Sequence, residues 1–227
     1  MDLGTGLALY LILVASIALH EWGHAIAADK IGDDTPRNQG RVTLNPIAHM
    51  DIIGTVVIPL LMIFYLAGQG FYLIGWGKPV QVNPRNFRNP VKDDLIVTAA
   101  GPAMNLVIAL SVAILGAILL ALAGGWGTEV GLSINQLFIQ AIFLNTMLIV
   151  FNLIPIPPLD GSHFLKHALK IPDETYYQWS IYGGFILLVL INIPPFRMLL
   201  RFLVQVAVIP FLFIYQLLAS LLGALSH

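Results

Sequence analysis

Five residues near the start of the chain, His20-Glu21-Trp22-Gly23-His24, place two imidazoles and a carboxylate at the spacing used for metal-assisted hydrolysis. On a helix, positions i and i+4 project from one face, so His20 and His24 can reach a single divalent ion. Glu21 follows the first imidazole directly, where its carboxylate can accept a proton from water. The pattern therefore predicts a zinc site with a glutamate base.

The surroundings of this motif are apolar, since it lies inside a hydrophobic run over residues 5–28. Ionisable residues are costly in a membrane helix and usually serve a site there. At 1.5 Å per residue, His20 lies roughly 22 Å below the outer boundary of a ~30 Å hydrocarbon core. The predicted site is thus within the bilayer but nearer its inner surface. The alternative is a group of polar side chains that hold helices together.

A third ligand is needed, because catalytic zinc usually has three protein ligands. The best candidate is Asp160, which follows a stretch with prolines at 155, 157 and 158. Those prolines prevent a regular helix, so Asp160 is expected on unwound backbone. An ordinary Asp-Gly turn is the alternative for this position.

The composition indicates what kind of protein holds these residues. The 227 residues are 58% hydrophobic and 10% charged, with a mean hydropathy of +0.84, whereas soluble domains carry about 25% charged residues. Continuous apolar runs favour an all-α polytopic membrane protein over a barrel. A net charge of −1 gives no electrostatic reason to expect nucleic acid, and the absence of cysteine excludes disulfides and thiolate ligands.

Five to six transmembrane helices are predicted from the apolar segments. If segment 52–75 is re-entrant, 9 of the 11 basic residues fall on one side, with only Arg197 and Arg201 opposite. That arrangement predicts an N-terminus outside and a C-terminus in the cytoplasm. Six plain crossings are the alternative. The apolar segments are 5–28, 52–75, 95–123, 133–156, 179–193 and 202–224.

Two short stretches alternate like strands and end in Asn-Pro, a turn signal. They cover residues 40–46 and 77–84. Paired, they would make a small membrane-associated β-sheet at the cytoplasmic face. An extended loop without pairing fits the pattern equally well.

Three motifs in this order resemble the site-2 protease family of intramembrane zinc metalloproteases, peptidase family M50. They are the His20–His24 motif, then Gly101-Pro102-Ala103-Met104-Asn105, then the stretch from Asn152 to Asp160-Gly161. The loop stretches resemble the compact bacterial branch, without PDZ or CBS domains. The resemblance implies cleavage of proteins that have a transmembrane helix, within the lipid bilayer.

Specific roles are implied by the same resemblance. One Zn²⁺ per chain is expected, with Glu21 as base and Asn152 close to the substrate carbonyl or oxyanion. The full set comprises the metal ligands His20, His24 and Asp160, the catalytic residues Glu21 and Asn152, and the substrate-binding residues Asn105, Val42, Leu44, Val80 and Val82.

A single integral-membrane protease domain is expected over residues 1–227, with the zinc site in a core at 5–165 and further transmembrane helices at 179–224. The expected location is the bacterial plasma membrane, multi-pass, with the active site near the cytoplasmic side. The sequence does not indicate an oligomeric state.

Two other functions fit some of these residues. A metal-ion or proton transporter also uses intramembrane His and Asp, but it does not explain why Glu21 follows His20, and metal flux in liposomes would reveal it. A non-catalytic relative would usually have a damaged motif. His163 and His167 have i,i+4 spacing and form a rival metal pair, although no glutamate follows His163, so we interpret them as interfacial.

Overall fold

The computed structural model describes residues 3–66 and 75–225 and is built from α-helices joined by short turns. A π-helical turn, Ile52–Val57, leads into the third helix. In chain order the helices are α1 (Leu3–Ile31), α2 (Thr35–Asn38), α3 (Ile58–Leu66), α4 (Pro90–Leu122), α5 (Glu129–Asn152), α6 (Gly161–Ala168), α7 (Asp173–Leu190) and α8 (Pro194–Leu225).

Four of the described helices, α1, α4, α5 and α8, are long and apolar enough to cross a membrane. The prediction of five to six crossings is therefore wrong. Segment 179–193 falls largely in α7, which has 18 residues but begins with polar sequence at Asp173 and Glu174, so it is not apolar enough over its length to qualify. Segment 52–75 provides a short apolar helix, Ile52–Phe64, and its residues 67–74 lie outside the described part.

Small side chains on α4 set the packing of the bundle. Ala109, Ala113 and Ala117 recur every fourth residue and are fully buried, together with Ile142 of α5. Small residues allow helix axes to approach closely in a membrane, where packing rather than the hydrophobic effect drives association. The α8 residues in this core are Val208, Phe211, Tyr215 and Ala219.

The direction of α8 corrects the predicted topology. The Tyr215 hydroxyl donates to Asn135 Oδ1 over 3.0 Å near the start of α5, whereas Arg197 and Arg201 share a cavity lining with Phe151 near its end. Helix α8 therefore runs antiparallel to α5, and both arginines lie at the same end of the bundle as the other basic residues. Prediction had placed these two arginines at the opposite end and the C-terminus in the cytoplasm.

The predicted β-sheet is absent from residues 3–66 and 75–225, which contain no strand. One isolated antiparallel bridge joins Met50 and Gly77. Side chains use the backbone groups that a ladder needs: Val80 N–H donates to Glu21, and the Lys78 carbonyl accepts from Arg41. These two backbone groups bond to side chains, so they do not take part in a ladder between residues 40–46 and 77–84.

Both ends of segment 52–75 lie side by side. Trp76 N–H donates to the Gly54 carbonyl over 3.2 Å, and the Thr55 hydroxyl donates to the Trp76 carbonyl over 2.7 Å. Lys78 N–H also donates to the His49 carbonyl over 2.8 Å. Together with the hydrogen bond from Val80 N–H to Glu21, these bonds hold the Lys78–Asn83 stretch against the C-terminal half of α1.

Asp33 fastens that stretch to the end of α1. Its fully buried carboxylate accepts from Thr35 N–H and hydroxyl, from Asn83 N–H at 2.7 Å and from Asn86 Nδ2 at 2.8 Å. Burial by itself raises the pKa of the Asp33 carboxyl, but these hydrogen bonds outweigh it and hold the pKa below its ordinary value.

We expect Asp33→Ala to destabilise the protein by about 2 to 4 kcal/mol at neutral pH, because several buried donors lose a charged acceptor. A lowered folded-state pKa contributes stability that is fully present above the ordinary carboxyl pKa of about 4 and is lost as the pH falls through the folded-state value. Melting temperatures of wild type and variant should therefore converge in acid. The exposed neighbour Asp34, changed to Ala, is the control, and a constant gap across pH would contradict the account.

Candidate metal centre

Three predicted ligands meet at one point although two lie on α1 and the third follows α5. His20 and His24 bring their Nε2 atoms within 3.1 Å of each other. The Asp160 carboxylate lies 3.3 Å from the first and 3.4 Å from the second. Among the described residues this is the one group of three or more His, Cys, Asp or Glu side chains close enough to hold a metal ion.

The geometry fits a zinc ion. Ligands at 2.0–2.2 Å in a tetrahedral arrangement are about 3.3 Å from each other, which matches the three distances here. The Asp160 Oδ2 atom is buried and has no hydrogen-bond donor, as expected of an atom placed to bind a cation. Two imidazole nitrogens and a carboxylate are a donor set of catalytic zinc sites.

Helix α4 orients both imidazoles. His20 Nδ1 donates to Asn105 Oδ1 over 2.6 Å, and His24 Nδ1 donates to the Val97 carbonyl over 2.8 Å. Because each ring holds its proton on Nδ1, each Nε2 presents a lone pair toward Asp160. Asn105 is itself completely buried and donates to Asn145 Oδ1 over 3.3 Å.

Room for the imidazoles comes from Gly101, whose backbone faces them. A Cβ atom at this position would lie 2.3 Å from His24 Nε2 and 2.7 Å from His20 Cε1. The glycine is needed here for close approach, not for an unusual backbone angle. The Gly-Pro motif thus positions the metal centre through its first residue.

Glu21 lies beside the ligands but is not one of this group of three. Its Oε2 atom accepts from the backbone N–H of Val80 over 3.0 Å. Arg41 is 95% buried and close enough for its charge to interact with Glu21. Burial holds the pKa of the Arg41 guanidinium below its ordinary value, although the Glu21 charge offsets part of this shift. Neither contact was expected from the sequence, since Arg41 stands between apolar residues of a predicted strand.

His49 is fully buried and lies close enough to Arg41 and Glu21 for their charges to act on its imidazole. Its Nε2 donates to the Thr43 carbonyl over 2.9 Å. Burial lowers the pKa of His49, and the nearby Arg41 charge lowers it further, so the imidazole is neutral at pH 7. This residue stabilises the loop without adding a charge next to Glu21.

The remaining predicted site residues lie at varying distances from this centre. Asn152 ends α5, and its Nδ2 donates to the Leu148 carbonyl over 2.9 Å. Val82 packs against a core cluster that includes Phe87. Leu44 is exposed and Val42 is half-buried; neither is brought to the three ligands by a hydrogen bond.

A known protein family matches the part of the chain that contains His20, His24 and Asp160. The profile of peptidase family M50 matches residues 8–191. The chain is 36% identical over 191 residues to a Bacillus subtilis (strain 168) protein named "Putative zinc metalloprotease YwhC", covering 82% of this chain and 80% of that one.

Mycobacterial relatives are more distant and longer. The chain is 32% identical over 184 residues to "Putative zinc metalloprotease Rip2" of Mycolicibacterium smegmatis (strain ATCC 700084 / mc(2)155), covering 79% of this chain and 64% of that one. It is 30% identical over 165 residues to the protein of the same name in Mycobacterium tuberculosis (strain ATCC 25618 / H37Rv), covering 69% and 55%. No solved structure matches the chain.

Proposed function

The chain belongs to peptidase family M50, and on that premise we propose that it is a site-2-type zinc endopeptidase that cuts membrane-spanning segments of other proteins. The observation that carries the proposal is the convergence of His20, His24 and Asp160 within 3.1 to 3.4 Å beside Glu21. The two imidazoles lie on α1 and are oriented by α4, and both of these helices are long and apolar enough to cross a membrane.

Zinc held by these ligands supplies Lewis-acid chemistry, polarising a peptide carbonyl and making water more acidic. The protein residues do the rest. Glu21 accepts the proton of the attacking water and returns it to the leaving amide nitrogen. Val80 N–H fixes one carboxylate oxygen of Glu21 and leaves Oε1 for this proton. The Asp160 carboxylate offsets cationic charge in a poorly solvated site.

Asn152 is proposed to stabilise the oxyanion. It lies eight residues before Asp160 on the last turn of α5, where the helix gives way to the proline-rich stretch. One N–H of its amide donates to the Leu148 carbonyl, and the second N–H is the proposed donor to the oxyanion. A donor aimed at developing charge is worth about 10²–10³ in rate.

The substrate has to unwind, because a helix hides its carbonyls in intrahelical hydrogen bonds. We place the unwound segment against the extended backbone around Val80 and Val82, which lies next to Glu21. Val42 and Leu44 are proposed to contact the same segment from the facing loop, and Asn105 to act on it indirectly, through His20. Backbone groups freed by unwinding would regain partners there.

Orientation in the membrane is proposed from charge. All 11 Lys and Arg residues lie at the end of the bundle where α1 and α5 end and α4 and α8 begin. Basic residues accumulate on the cytoplasmic side of bacterial membrane proteins. The metal centre would therefore open toward the cytoplasmic side of the plasma membrane, with the start of α1 and the end of α8 on the opposite side.

The test is cleavage of purified single-pass membrane proteins by the full chain in detergent. We expect a zinc chelator to abolish cleavage and added Zn²⁺ to restore it, whereas Mg²⁺ should not, because two ligands are nitrogen atoms. Metal content is measured in parallel. Undiminished cleavage by protein verified to be free of metal would refute the proposal.

A further inference from the structure

Outside the metal centre, one buried carboxylate holds two histidines on another helix. Asp94, in the second turn of α4, is 7% exposed. Its Oδ2 atom accepts from His163 Nδ1 over 2.9 Å and from His167 Nε2 over 2.6 Å. Both imidazoles lie on one face of α6, a turn apart, so a single oxygen ties α6 to α4.

Two α6 side chains also contact α7, since the Ser162 hydroxyl hydrogen-bonds the Tyr176 hydroxyl at 2.7 Å and Lys166 pairs with Asp173 at 2.8 Å. Asp94 ties α6 to α4 instead. Only Gly161 and Ser162 of its eight residues are buried, and a helix of this length is marginal by itself. Asp160 is its N-cap residue, and the Asp160 carbonyl accepts from His163 N–H over 3.0 Å. Any tilt of α6 would therefore carry the Asp160 carboxylate with it.

Asp94 also belongs to the stripe of α4 that orients the other ligands. Residues at i, i+3, i+7 and i+11 share a helix face, and here they are Asp94, Val97, Gly101 and Asn105. Val97 and Asn105 hold the two imidazole ligands, and Gly101 leaves the space for them. Asp94, the first position of this stripe, reaches the third ligand, Asp160, through α6.

We propose that Asp94 is a positioning residue of the metal centre: by holding His163 and His167 it sets the distance of the Asp160 carboxylate from the two imidazole ligands. The proposal rests on the zinc site of the proposed function. Asp94, His163 and His167 do not themselves belong to the group of potential metal ligands found in the described part of the chain. Lys166, on the next position to His167, would also repel a cation.

The test measures metal binding by the full chain in detergent, without any substrate. Zinc affinity is measured by competition with a chromophoric chelator, and ligand geometry by the visible absorption of the Co²⁺-loaded protein. We expect Asp94→Ala to weaken zinc binding by about 10- to 100-fold, the usual effect of losing an outer partner of a ligand. The Co²⁺ bands should shift as well.

Matched variants separate positioning from general stability. Asp93→Ala removes the neighbouring buried carboxylate, which accepts from Asn89 N–H at 2.8 Å within the same turn, and should leave the Co²⁺ spectrum unchanged. His167→Ala keeps Asp94 and removes the shorter bond, so it tests the role of the Asp94–histidine contacts if Asp94→Ala does not fold. It should shift the bands in the same direction.

Three results would overturn the proposal. Wild-type affinity and spectrum in folded Asp94→Ala or His167→Ala would exclude the positioning role and leave the proposed function untouched. Two ions per wild-type chain, one of them lost on Asp94→Ala, would mean that Asp94, His163 and His167 form a second metal site instead. A wild type that binds no metal would contradict the proposed function itself, and the positioning role with it.

Discussion

Replacing Glu21 with Gln should lower the rate of substrate cleavage by about 10³-fold while metal content stays at the wild-type level. The amide has the shape of the carboxylate but cannot accept a proton from water, and general-base catalysis contributes about 10²–10⁴. Metal should remain because its three candidate ligands do not include Glu21. Cleavage is followed on a single-pass membrane substrate, and metal by elemental analysis.

The local structure should survive this change. Val80 N–H donates to Glu21 Oε2 at 3.0 Å, and the side-chain oxygen of glutamine can accept the same bond. Glu174→Gln is the control, since Glu174 is exposed in the first turn of α7. A variant with bound metal and wild-type cleavage would exclude Glu21 as the base. Loss of metal would instead mean that Glu21 holds the site together.

His20, His24 and Asp160 could be predicted as candidate ligands from the spacing of the two histidines and from the prolines that precede Asp160. His20 and His24 lie on one face of their helix wherever that helix is placed in the fold, so their pairing can be predicted from their spacing alone. Asp160 required more: prolines before it excluded a helix, and the resemblance to a family supplied its partners. The family assignment is confirmed by the match over residues 8–191.

Alternating hydrophobicity could not show whether residues 40–46 and 77–84 pair as a sheet, because side chains from elsewhere in the sequence hydrogen-bond to their backbone groups. Glu21 and Asp33 accept from Val80 and Asn83, and Arg41 donates to the Lys78 carbonyl. Each of these partners is far away in the sequence. Period-two hydrophobicity describes which way side chains point and carries no information about such competitors.

The crossing count failed for a related reason. Hydropathy locates apolar segments, but segment 179–193 belongs to a helix that starts in the polar sequence at Asp173. Moving α7 out of the set of crossings reverses the direction of α8, which brings Arg197 and Arg201 to the end where the other basic residues lie. The charge asymmetry is then complete rather than partial, so the corrected topology agrees better with the positive-inside rule.

Asn105 illustrates what a motif alone leaves open. The sequence assigned it to substrate handling through its place in the Gly-Pro motif. In the structure it is fully buried behind His20 and accepts the Nδ1 proton over 2.6 Å. Only the packing of α1 on α4 reveals this contact, because the two residues are 85 positions apart.

Gly101→Ala should weaken zinc binding by more than about 100-fold, beyond the usual effect of changing an outer partner. The added Cβ would lie 2.3 Å from His24 Nε2, the ligand atom itself. The rings cannot move aside without breaking the bonds from their Nδ1 atoms to Asn105 and Val97. A small change in volume therefore acts directly on the coordination geometry.

Helix propensity sharpens the prediction because it acts in the opposite direction. Alanine is favoured over glycine in a helix interior by about 1 kcal/mol, so a loss of metal in Gly101→Ala cannot come from a weakened α4. Gly184→Ala is the matched control, since nothing lies within 4 Å of its added Cβ in α7. Zinc affinity is measured for both, with circular dichroism to establish folding. If folded Gly101→Ala binds zinc like wild type, the imidazoles can reposition, and α4 does not fix the metal centre by close approach.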